Sequence, residues 1–351
     1  MRIFISEYVC GGGCPELTAS DSLVLEGRAM LEAIVVDFAG CPGIRVMTTW
    51  DARLGSAPLD QAHTLLVDSP DDELPMFCEL ATLCDATLVI APETSGLLAE
   101  RCRMIESLGG VLLGPASRGV ELCTDKLRLG TTLLALGIPT VHTGGCRFGT
   151  GGEVSVSSPE EFSNESAMVF PCVIKPRDGA GSQSTFLVRD GDELARLRPV
   201  FEADPRLRDG VWQPYVAGRA VSVAVVLSEA GCLVEAFPPA EQTLSDDGRF
   251  RYLGGVIPAR GVNREAIQSA ALRACEAVPG LRGYVGVDLI VPDSAPDQPL
   301  VVEINPRLTT SYIGYRQMTS ANLARLMLPR SEFRSPTAWH SGSVVFGLES
   351  S

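Results

Sequence analysis

The sequence contains very little lysine and histidine. Of its 351 residues, 29 are basic, and only Lys126 and Lys175 are lysine, so arginine supplies the other 27. The three histidines are scattered at positions 63, 142 and 340, which disfavours a site built on a histidine base and a neighbouring nucleophile. The two lysines have two explanations. One is a composition bias with two exceptions, and the other is two sites where a guanidinium cannot replace a compact, mobile ammonium.

An excess of positive charge and a long apolar run are also missing. The 43 acidic residues give a net charge of −14, which argues against a general nucleic-acid binder, because such a protein needs a basic surface to displace counterions. No apolar run approaches the ~20 residues that span a bilayer. The first strand-like segment meets an acid at Glu7, unlike a signal peptide. We expect a cytoplasmic protein that binds neither nucleic acid nor membranes.

The eleven cysteines lack the spacing of metal or disulfide motifs. None of them forms a Cys-x-x-Cys pair, and most lie in apolar stretches. We therefore expect buried, reduced thiols. Cys10 and Cys14 flank three glycines, and their role stays open.

The first third of the chain alternates strand-like and helix-like segments. Such alternation predicts an open, mostly parallel sheet. The predicted strands are 2–8, 43–48, 86–91 and 111–114, and the predicted helices are 22–39 and 95–108. Because ligands bind beyond the carboxyl ends of the strands in such sheets, the turns at 8–13 and 92–95 are candidate site walls.

Strands dominate the sequence beyond Thr124. Residues 169–175 and 184–188 form a predicted hairpin around a glycine turn, and residues 144–158, rich in glycine and serine, are predicted as a loop. The other predicted strands are 211–216, 221–227, 233–237, 283–291 and 300–305, and the predicted helices start after Thr124 and span 193–201 and 264–277.

The hairpin carries a lysine followed by a glycine turn. Lys175 ends its strand, and Gly179 and Gly181 let backbone N–H groups converge on phosphate oxygens without a Cβ in the way. The ammonium adds a mobile point charge that can follow a moving phosphate. The spacing matches neither a Walker A loop nor a G-x-G-x-x-G fingerprint. An ordinary glycine hairpin without a ligand is the alternative.

Two acids and an amide lie on adjacent predicted strands. Apolar residues on both sides of Asp288 share one face, so Asp288 points to the opposite face of a strand that we expect to be buried. On the next strand, Glu303 and Asn305 share a face and lie about 6.6–6.8 Å apart. Three hard oxygens with room for phosphate and water suit Mg²⁺. The alternative is an edge strand with its acids in solvent.

Arg307 follows these strands directly. Pro306 cannot donate to a strand ladder, so we expect the strand to end there and Arg307 to lie over the face that carries the acids. A guanidinium in that place would neutralise charge on a transferring phosphoryl group or an acyl phosphate. One more surface arginine is the alternative.

The order of these motifs resembles the ATP-grasp superfamily. The motifs are Thr-Asp-Lys at 124–126, Leu-Gly-Ile-Pro-Thr at 136–140, Val-Ile-Lys-Pro at 173–176, Val-Trp-Gln-Pro-Tyr-Val-Ala-Gly-Arg at 211–219, Gly-Val-Asp at 286–288 and Val-Glu-Ile-Asn-Pro-Arg at 302–307. The resemblance implies an α/β protein with an N-terminal open parallel-sheet domain followed by an ATP-grasp fold of two α+β subdomains with the nucleotide between them. The implied divisions are the N-terminal domain at 1–115, a small lid subdomain at 116–210, a C-terminal subdomain with the metal site at 211–330 and a tail at 331–351.

The resemblance also implies roles for individual residues. Lys126 and Lys175 would contact the phosphates of ATP. The metal ligands for Mg²⁺, or for Mn²⁺ in its place, would be Asp288, Glu303 and Asn305. The lid turn and the strand beside the adenine would supply the other nucleotide contacts, from Gly179, Gly181, Ser182, Gln183, Trp212, Gln213, Tyr215 and Val216. The chain departs from the usual pattern at Gln213-Pro214 and at Ala220, where members of the superfamily commonly have glutamates.

Shorter pieces resemble the tyramine–glutamate ligase group, which acts in methanofuran-type cofactor synthesis. These pieces are Phe-Ile-Ser-Glu-Tyr at 4–8, Leu-Glu-Gly-Arg-Ala-Met-Leu at 25–31 and Asn-Pro-Arg-Leu-Thr-Thr-Ser at 305–311. The implied activity is an ATP-dependent carboxylate–amine ligase that forms an amide through an acyl phosphate, with glutamate and an aromatic amine such as tyramine as substrates.

Within that activity, Lys175 and Arg307 would act in catalysis. Arg260, with Glu241 or Gln242 before it, is a candidate for holding the acid substrate. The expected partners are the small-molecule acid and amine, and a homodimer is a candidate assembly. The alternatives are a non-catalytic nucleotide-binding regulatory protein with the same fold and an ATP-dependent carboxylase that acts through carboxyphosphate.

Overall fold

The computed structural model describes residues 1–148, 154–157, 168–179, 182–329 and 337–347. Over these ranges the chain forms a four-stranded parallel sheet followed by antiparallel sheets of five and seven strands. This architecture confirms the predicted α/β class, with an N-terminal open parallel sheet ahead of two α+β units. None of the helices in the described ranges is long and apolar enough to cross a membrane.

The N-terminal sheet has its first strand near the centre. Its elements are β1 (Arg2–Glu7), α1 (Ser22–Ala39), β2 (Arg45–Asp51), β3 (Ala62–Val67), α2 (Pro70–Leu83), β4 (Ala86–Ile90) and α3 (Leu97–Ser107). The strand order is β3-β2-β1-β4. Residues 3–7 of β1 are buried on both faces, as expected for a parallel strand that helices cover on both sides. The strand order reverses between β1 and β4, so the carboxyl ends of these two strands frame a crevice.

Three parts of this domain differ from the prediction. The predicted strand at 111–114 is reduced to an isolated bridge between Thr87 and Leu112. In addition, β3 and α2 were not predicted. Most of β3 is only partly buried, and α2 contains Pro75, so neither segment shows a clean periodic pattern.

The second sheet follows two short helices, α4 (Ser117–Thr124) and α5 (Lys126–Ala135). Its elements are β5 (Gly144–Phe148), β6 (Val154–Ser157), β7 (Cys172–Pro176), β8 (Phe186–Val188), α6 (Gly191–Ala203) and β9 (Asp209–Pro214). The order β6-β5-β9-β7-β8 confirms the predicted hairpin of β7 and β8. The predicted loop at 144–158 is wrong at 144–148 and 154–157, which are β5 and β6, because β5 pairs with both β9 and β6. Glycine and serine enrichment misled the prediction there. Residues 149–153 and 158 lie outside the described ranges.

The third sheet is antiparallel and continues to the end of the described chain. Its elements are β10 (Gly218–Leu227), β11 (Leu233–Ala236), β12 (Ala240–Leu244), β13 (Tyr252–Ile257), α7 (Arg264–Glu276), β14 (Gly283–Pro292), β15 (Leu300–Asn305), α8 (Ser311–Gln317) and β16 (Val344–Phe346). The order is β15-β14-β10-β12-β13-β16, with β11 paired to β10. The strand β13 was not predicted. It contains Gly255, where a Cβ would lie 2.6 Å from the Glu241 carbonyl oxygen. The close strand pairing therefore requires glycine here, although glycine in a sequence is typical of a break in a strand.

Helices α1 and α8 join the N-terminal sheet to the third sheet. Tyr312 and Tyr315 on α8 are fully buried in a core that also contains residues of α1 and β1. The Tyr312 hydroxyl donates to Asp37 Oδ2 at 2.6 Å, and Arg316 Nε donates to the same oxygen at 2.8 Å. This packing fixes the crevice between β1 and β4 against the third sheet.

Candidate active site

Residues of all three sheets line one cavity of about 1290 Å³. Its walls include the carboxyl ends of β1 and β4, the end of β7, and parts of β12, β14 and β15. Val9, Pro92 and Thr94 are among the lining residues, so both turns that we expected as site walls contribute. A cavity of this size has room for a nucleotide together with smaller substrates.

The two lysines of the chain meet in this cavity. Lys126 begins α5 and Lys175 lies near the end of β7, and both are less than one-tenth exposed. Their Nζ atoms lie 3.8 Å and 4.0 Å from Glu303 Oε2. Burial lowers the pKa of Lys175 to about 8, with a further lowering by the Lys126 charge and an opposing effect of Glu303. Two buried cations against one carboxylate can receive additional negative charge, such as that of phosphate groups.

Local contacts fix Lys126 in this position. Asp125 caps α5 by accepting a hydrogen bond from the Arg128 backbone N–H at 3.1 Å. The same carboxylate binds the Arg177 guanidinium through two hydrogen bonds of 2.8 Å. Lys126 Nζ donates to the Gly179 carbonyl at 2.9 Å. The start of α5 is therefore tied to the turn that follows β7.

The acids and the amide on β14 and β15 also meet in the cavity. Asp288 and Glu303 are paired across the two strands. Asp288 Oδ1 accepts from Gln242 Nε2, and Oδ2 accepts from Asn305 Nδ2, both at 2.9 Å. Burial and the neighbouring Glu303 charge raise the pKa of Asp288 to about 7. For Glu303, burial acts to raise the pKa, but the charges of Lys126, Lys175 and Arg307 and hydrogen bonding with Asp288 together lower the pKa overall.

This donor set fits a divalent cation. Asp288 and Glu303 place two mutually repelling carboxylates in a buried position, where a cation would relieve their repulsion. Because Asn305 uses its Nδ2 toward Asp288, its carbonyl oxygen is available as a third hard ligand. Two carboxylates and one amide oxygen suit Mg²⁺ or Mn²⁺, which keep several non-protein ligands.

The glycine turn after β7 forms another wall of the cavity. Gly179 has a φ of 121°, which favours glycine at this position. Gly179, Ser182 and Gln183 line the cavity, whereas Gly181 lies outside the described residues. Asp178 Oδ2 accepts from the Ser95 backbone N–H at 2.7 Å. The turn is thereby held against the turn that follows β4.

Arg307 lies in the cavity and is paired with an acid from the N-terminal domain. Its Nε and Nη2 atoms lie 2.8 Å and 3.1 Å from the two carboxylate oxygens of Glu93. Glu93 follows β4 and is 4% exposed. The expected position of Arg307 beside the acids of β14 and β15 agrees with the structure, and the N-terminal domain orients its guanidinium.

Family models match both halves of this arrangement. A model described as an ATP-grasp domain matches residues 146–311, and a model described as a pre ATP-grasp 3 domain matches residues 44–120. Together they cover more than half of the chain. The chain belongs to the ATP-grasp superfamily.

Curated relatives and solved structures agree with this membership. Tyramine–L-glutamate ligases of Methanocaldococcus fervens and Methanocaldococcus jannaschii are 26% and 25% identical over 244 residues, or 70% of this chain. The chain spans 65% and 62% of the length of these relatives. An L-amino acid ligase from Bacillus licheniformis has a similar fold, with a TM-score of 0.67 at 16% identity over 95% of this chain and 77% of that one.

In this ATP-grasp protein, one residue that we expected beside the adenine does not face the cavity. Gln213, Tyr215 and Val216 line the cavity. Trp212 does not, because it is buried in the core of the second sheet with its ring 5.7 Å from that of His142. The assignment of Trp212 to the nucleotide site is therefore corrected, since alternate residues of a strand point to opposite faces. Gln213 Nε2 donates to Thr143 Oγ1 at 2.9 Å.

The candidate acid-binding residues are only partly brought together. Arg260 is exposed, does not line the cavity and has Nη2 3.5 Å from Ser343 Oγ, so its assignment to the site is corrected. Glu241 and Gln242 do line the cavity. Glu241 binds the Arg219 guanidinium at 2.6 Å and 3.2 Å. Gln242 holds Asp288, so it supports the metal ligand.

Two cavity acids were not predicted as site residues. Glu7 ends β1 and is 3% exposed, and Glu26 lies on α1. A Cβ at Gly27 would lie 2.7 to 2.8 Å from the carboxylate atoms of Glu7, so this helical glycine leaves the space that Glu7 occupies. Two features of the sequence could have identified Glu7 as a site residue: an acid at the end of an apolar strand, and a glycine inside a helix.

Glu7→Gln is expected to increase the free energy of unfolding. Burial raises the pKa of Glu7 from 4.5 to about 7, against the lowering effect of hydrogen bonds from Cys10 and Val9 and of the Arg307 charge. Between these pH values the unfolded chain ionises while the folded chain stays protonated, so stability falls as the pH rises through this window. Above pH 7 the free energy of unfolding of the variant should exceed that of wild type by about 2 to 3 kcal/mol.

Urea unfolding at pH 5 and pH 8 measures this difference. The gain of the variant should be much smaller at pH 5, because little of the window has been crossed there. Glu32→Gln is a matched control on α1, since Glu32 is partly exposed and paired with Arg28 at 2.7 Å. An equal gain for Glu7→Gln at both pH values would contradict the expected titration of Glu7.

Proposed function

We propose that this chain is an ATP- and Mg²⁺-dependent carboxylate–amine ligase that forms an amide through an acyl phosphate. The convergence of both lysines, Arg307 and the Asp288, Glu303 and Asn305 set on one cavity carries the proposal. Among the described residues that line this cavity there is no cysteine or histidine. A reaction that activates its substrate by phosphorylation needs positioning and charge stabilisation more than it needs a protein nucleophile.

Each group of residues has a role in this reaction. Lys126 and Lys175 bind phosphate oxygens and stabilise charge on the transferring phosphoryl group. Arg307, oriented by Glu93, binds the carboxylate that attacks this group. The turn around Gly179 covers the phosphates and excludes water from the acyl phosphate. Asp288, Glu303 and Asn305 would hold Mg²⁺, which neutralises phosphate charge when bound.

We propose glutamate as the acid and an aromatic amine such as tyramine as the amine. The similarity to tyramine–L-glutamate ligases over 70% of the chain supports this choice. The non-catalytic alternative rests on the departures at Gln213-Pro214 and Ala220. Both lysines, Arg307 and the Asp288, Glu303 and Asn305 set nevertheless line one cavity, which favours the enzyme.

ADP release in the presence of ATP and Mg²⁺ tests this function. We expect release to require both L-glutamate and tyramine, and the product mass to equal the sum of the two substrates less one water. With glutamate labelled by ¹⁸O in its carboxylates, one labelled oxygen should appear in the released phosphate. This transfer is the signature of an acyl phosphate.

Three outcomes would contradict the proposal in different ways. ATP binding without ADP release across a broad panel of acids and amines would support the non-catalytic alternative. ADP release that requires bicarbonate would support the carboxylase. ADP release without ¹⁸O in the phosphate would exclude the acyl phosphate.

A further inference from the structure

The crevice between β1 and β4 opens into the same cavity as the phosphate-binding residues. Glu7 ends β1, and Ile90, Ala91, Pro92 and Thr94 continue from the end of β4 along the cavity wall. In open parallel sheets, the point where the strand order reverses is where ligands bind. The walls at this end belong to the N-terminal domain, whereas the lysines lie on α5 and β7, so this end is placed for the second substrate.

The Glu7 carboxylate is held rigidly in this crevice. Its Oε2 accepts a hydrogen bond from the Cys10 backbone N–H at 2.6 Å. Its other side lies against Gly27, which has no Cβ to displace it. Within the described ranges, no basic side-chain nitrogen lies within ion-pair distance of Glu7, although the Arg307 charge acts on it from further away. A buried carboxylate without a paired cation is costly to the fold, and ionisable groups perturbed in this way cluster at functional sites.

The charges around Glu7 favour a cation at this end of the cavity. The titratable groups that act on it or respond to it are the Cys10 and Cys14 thiols and Arg307. Arg307 forms its ion pair with Glu93, through two hydrogen bonds, and not with Glu7. Glu26, on the same helix as Gly27, also lines the cavity, and its pKa is raised by burial. Glu7 and Glu26 therefore leave two carboxylates for an incoming ammonium.

An amide-forming ligase has to remove a proton from its amine. Alkyl ammonium groups have a pKa near 10 in water, so an amine substrate arrives protonated and without a nucleophilic lone pair at pH 7. A base with a pKa near the working pH is the most effective acceptor of this proton. Burial gives the carboxyl of Glu7 a pKa of about 7.

We infer that Glu7 accepts the proton of the amine substrate in the crevice between β1 and β4. This inference rests on the proposed ligase function. The ammonium transfers one proton to the Glu7 carboxylate, and the free amine then attacks the carbonyl carbon of the acyl phosphate. The C–N bond forms, the C–O bond to phosphate breaks with its electron pair on oxygen, and the second amine proton leaves with the phosphate. Glu26 attracts the ammonium into the crevice.

Comparing two nucleophiles in Glu7→Gln tests this inference. Tyramine is protonated at pH 7, whereas hydroxylamine is uncharged and attacks an acyl phosphate without prior loss of a proton. We expect the variant to form the amide roughly 10²- to 10³-fold more slowly than wild type, and to lose less than about tenfold in hydroxamate formation. The rate of amide formation by wild type should be level above a pH of about 7 and fall below it, whereas the residual activity of the variant should keep rising with pH toward the amine pKa near 10, with no bend near pH 7.

Control variants separate proton transfer from structural damage. Glu32→Gln removes a partly exposed carboxylate of α1, the helix that packs against Glu7 through Gly27, and should leave both reactions unchanged. Gly27→Ala keeps Glu7 but displaces its carboxylate, so it should depress amide formation more than hydroxamate formation. Equal loss of both reactions in Glu7→Gln, or no loss of either, would overturn the inference. Wild type that forms neither product would instead refute the proposed ligase function.

Discussion

Lys175→Arg is expected to lower the rate of ADP release at least ~100-fold, although it preserves the positive charge. Lys175 is buried, its backbone pairs with Val211 on β9, and its Nζ lies 4.0 Å from Glu303 Oε2. A planar guanidinium is broader than an ammonium and cannot rotate its donors around one point. In this space it would displace either Lys126 or the phosphate that both lysines are proposed to bind.

The matched control for this variant is Arg147→Lys. Arg147 lies on β5 of the same sheet, is largely exposed, and its guanidinium lies 3.4 Å from Asp209, so the exchange should leave ADP release unchanged. Lys175→Ala should lose at least as much activity as Lys175→Arg while the protein stays folded. Near-normal turnover of Lys175→Arg would mean that the scarcity of lysine reflects composition alone.

The positions of the two lysines favour a functional explanation for the scarcity of lysine in the sequence. They are 49 positions apart on different elements, yet both Nζ atoms lie within 4.0 Å of the same carboxylate. The other basic residues are arginines, and many of them form surface ion pairs, where a guanidinium serves well. A bias alone does not explain why both exceptions lie in one cavity.

The sequence was most informative where a strand pattern and a charged residue coincide. Asp288 among apolar neighbours, and Glu303 with Asn305 two residues apart, identified the face that lines the cavity before any fold was known. Alternation along a strand decides which face a side chain takes, and burial of the other face decides which side is the core. These two rules were sufficient for β14 and β15.

The same reasoning could not assign the face of β9 or find Glu7 and Glu93. Trp212 and Gln213 are neighbours, and either could have faced the cavity until the core of the second sheet fixed Trp212 inside it. Glu7 and the turn that carries Glu93 reach the same edge of the sheet only because β1 and β4 are adjacent, with Glu7 paired to Ile90 in register. Strand order is a tertiary property that local patterns do not encode. The prediction for Arg260 was wrong because the sequence near a residue does not show whether its side chain faces the cavity or the solvent.

Asp288→Asn is expected to lower ADP release roughly 10³-fold at any concentration of Mg²⁺ or Mn²⁺. Each oxygen of Asp288 accepts a hydrogen bond from an amide donor, Gln242 Nε2 on one side and Asn305 Nδ2 on the other. An asparagine has one acceptor oxygen, so its own NH₂ group would face one of these donors. The cation would lose a carboxylate ligand. Repulsion between the facing NH₂ groups would also rotate the side-chain amide of the new asparagine or of its neighbour.

Cation binding separates this effect from a loss of folding. Electron paramagnetic resonance of Mn²⁺ titrated with the protein and ADP should show strong binding by wild type and little binding by Asp288→Asn. Asp293→Asn is the control, because Asp293 lies just beyond the end of β14, is exposed and does not line the cavity. The unfolding temperature of Asp288→Asn should stay close to that of wild type, because the loss of one of two facing buried carboxylates offsets the cost of the mismatched amide. Wild-type Mn²⁺ binding by this variant would show that the cation is held elsewhere, and Glu303 would then interact with the two lysines alone.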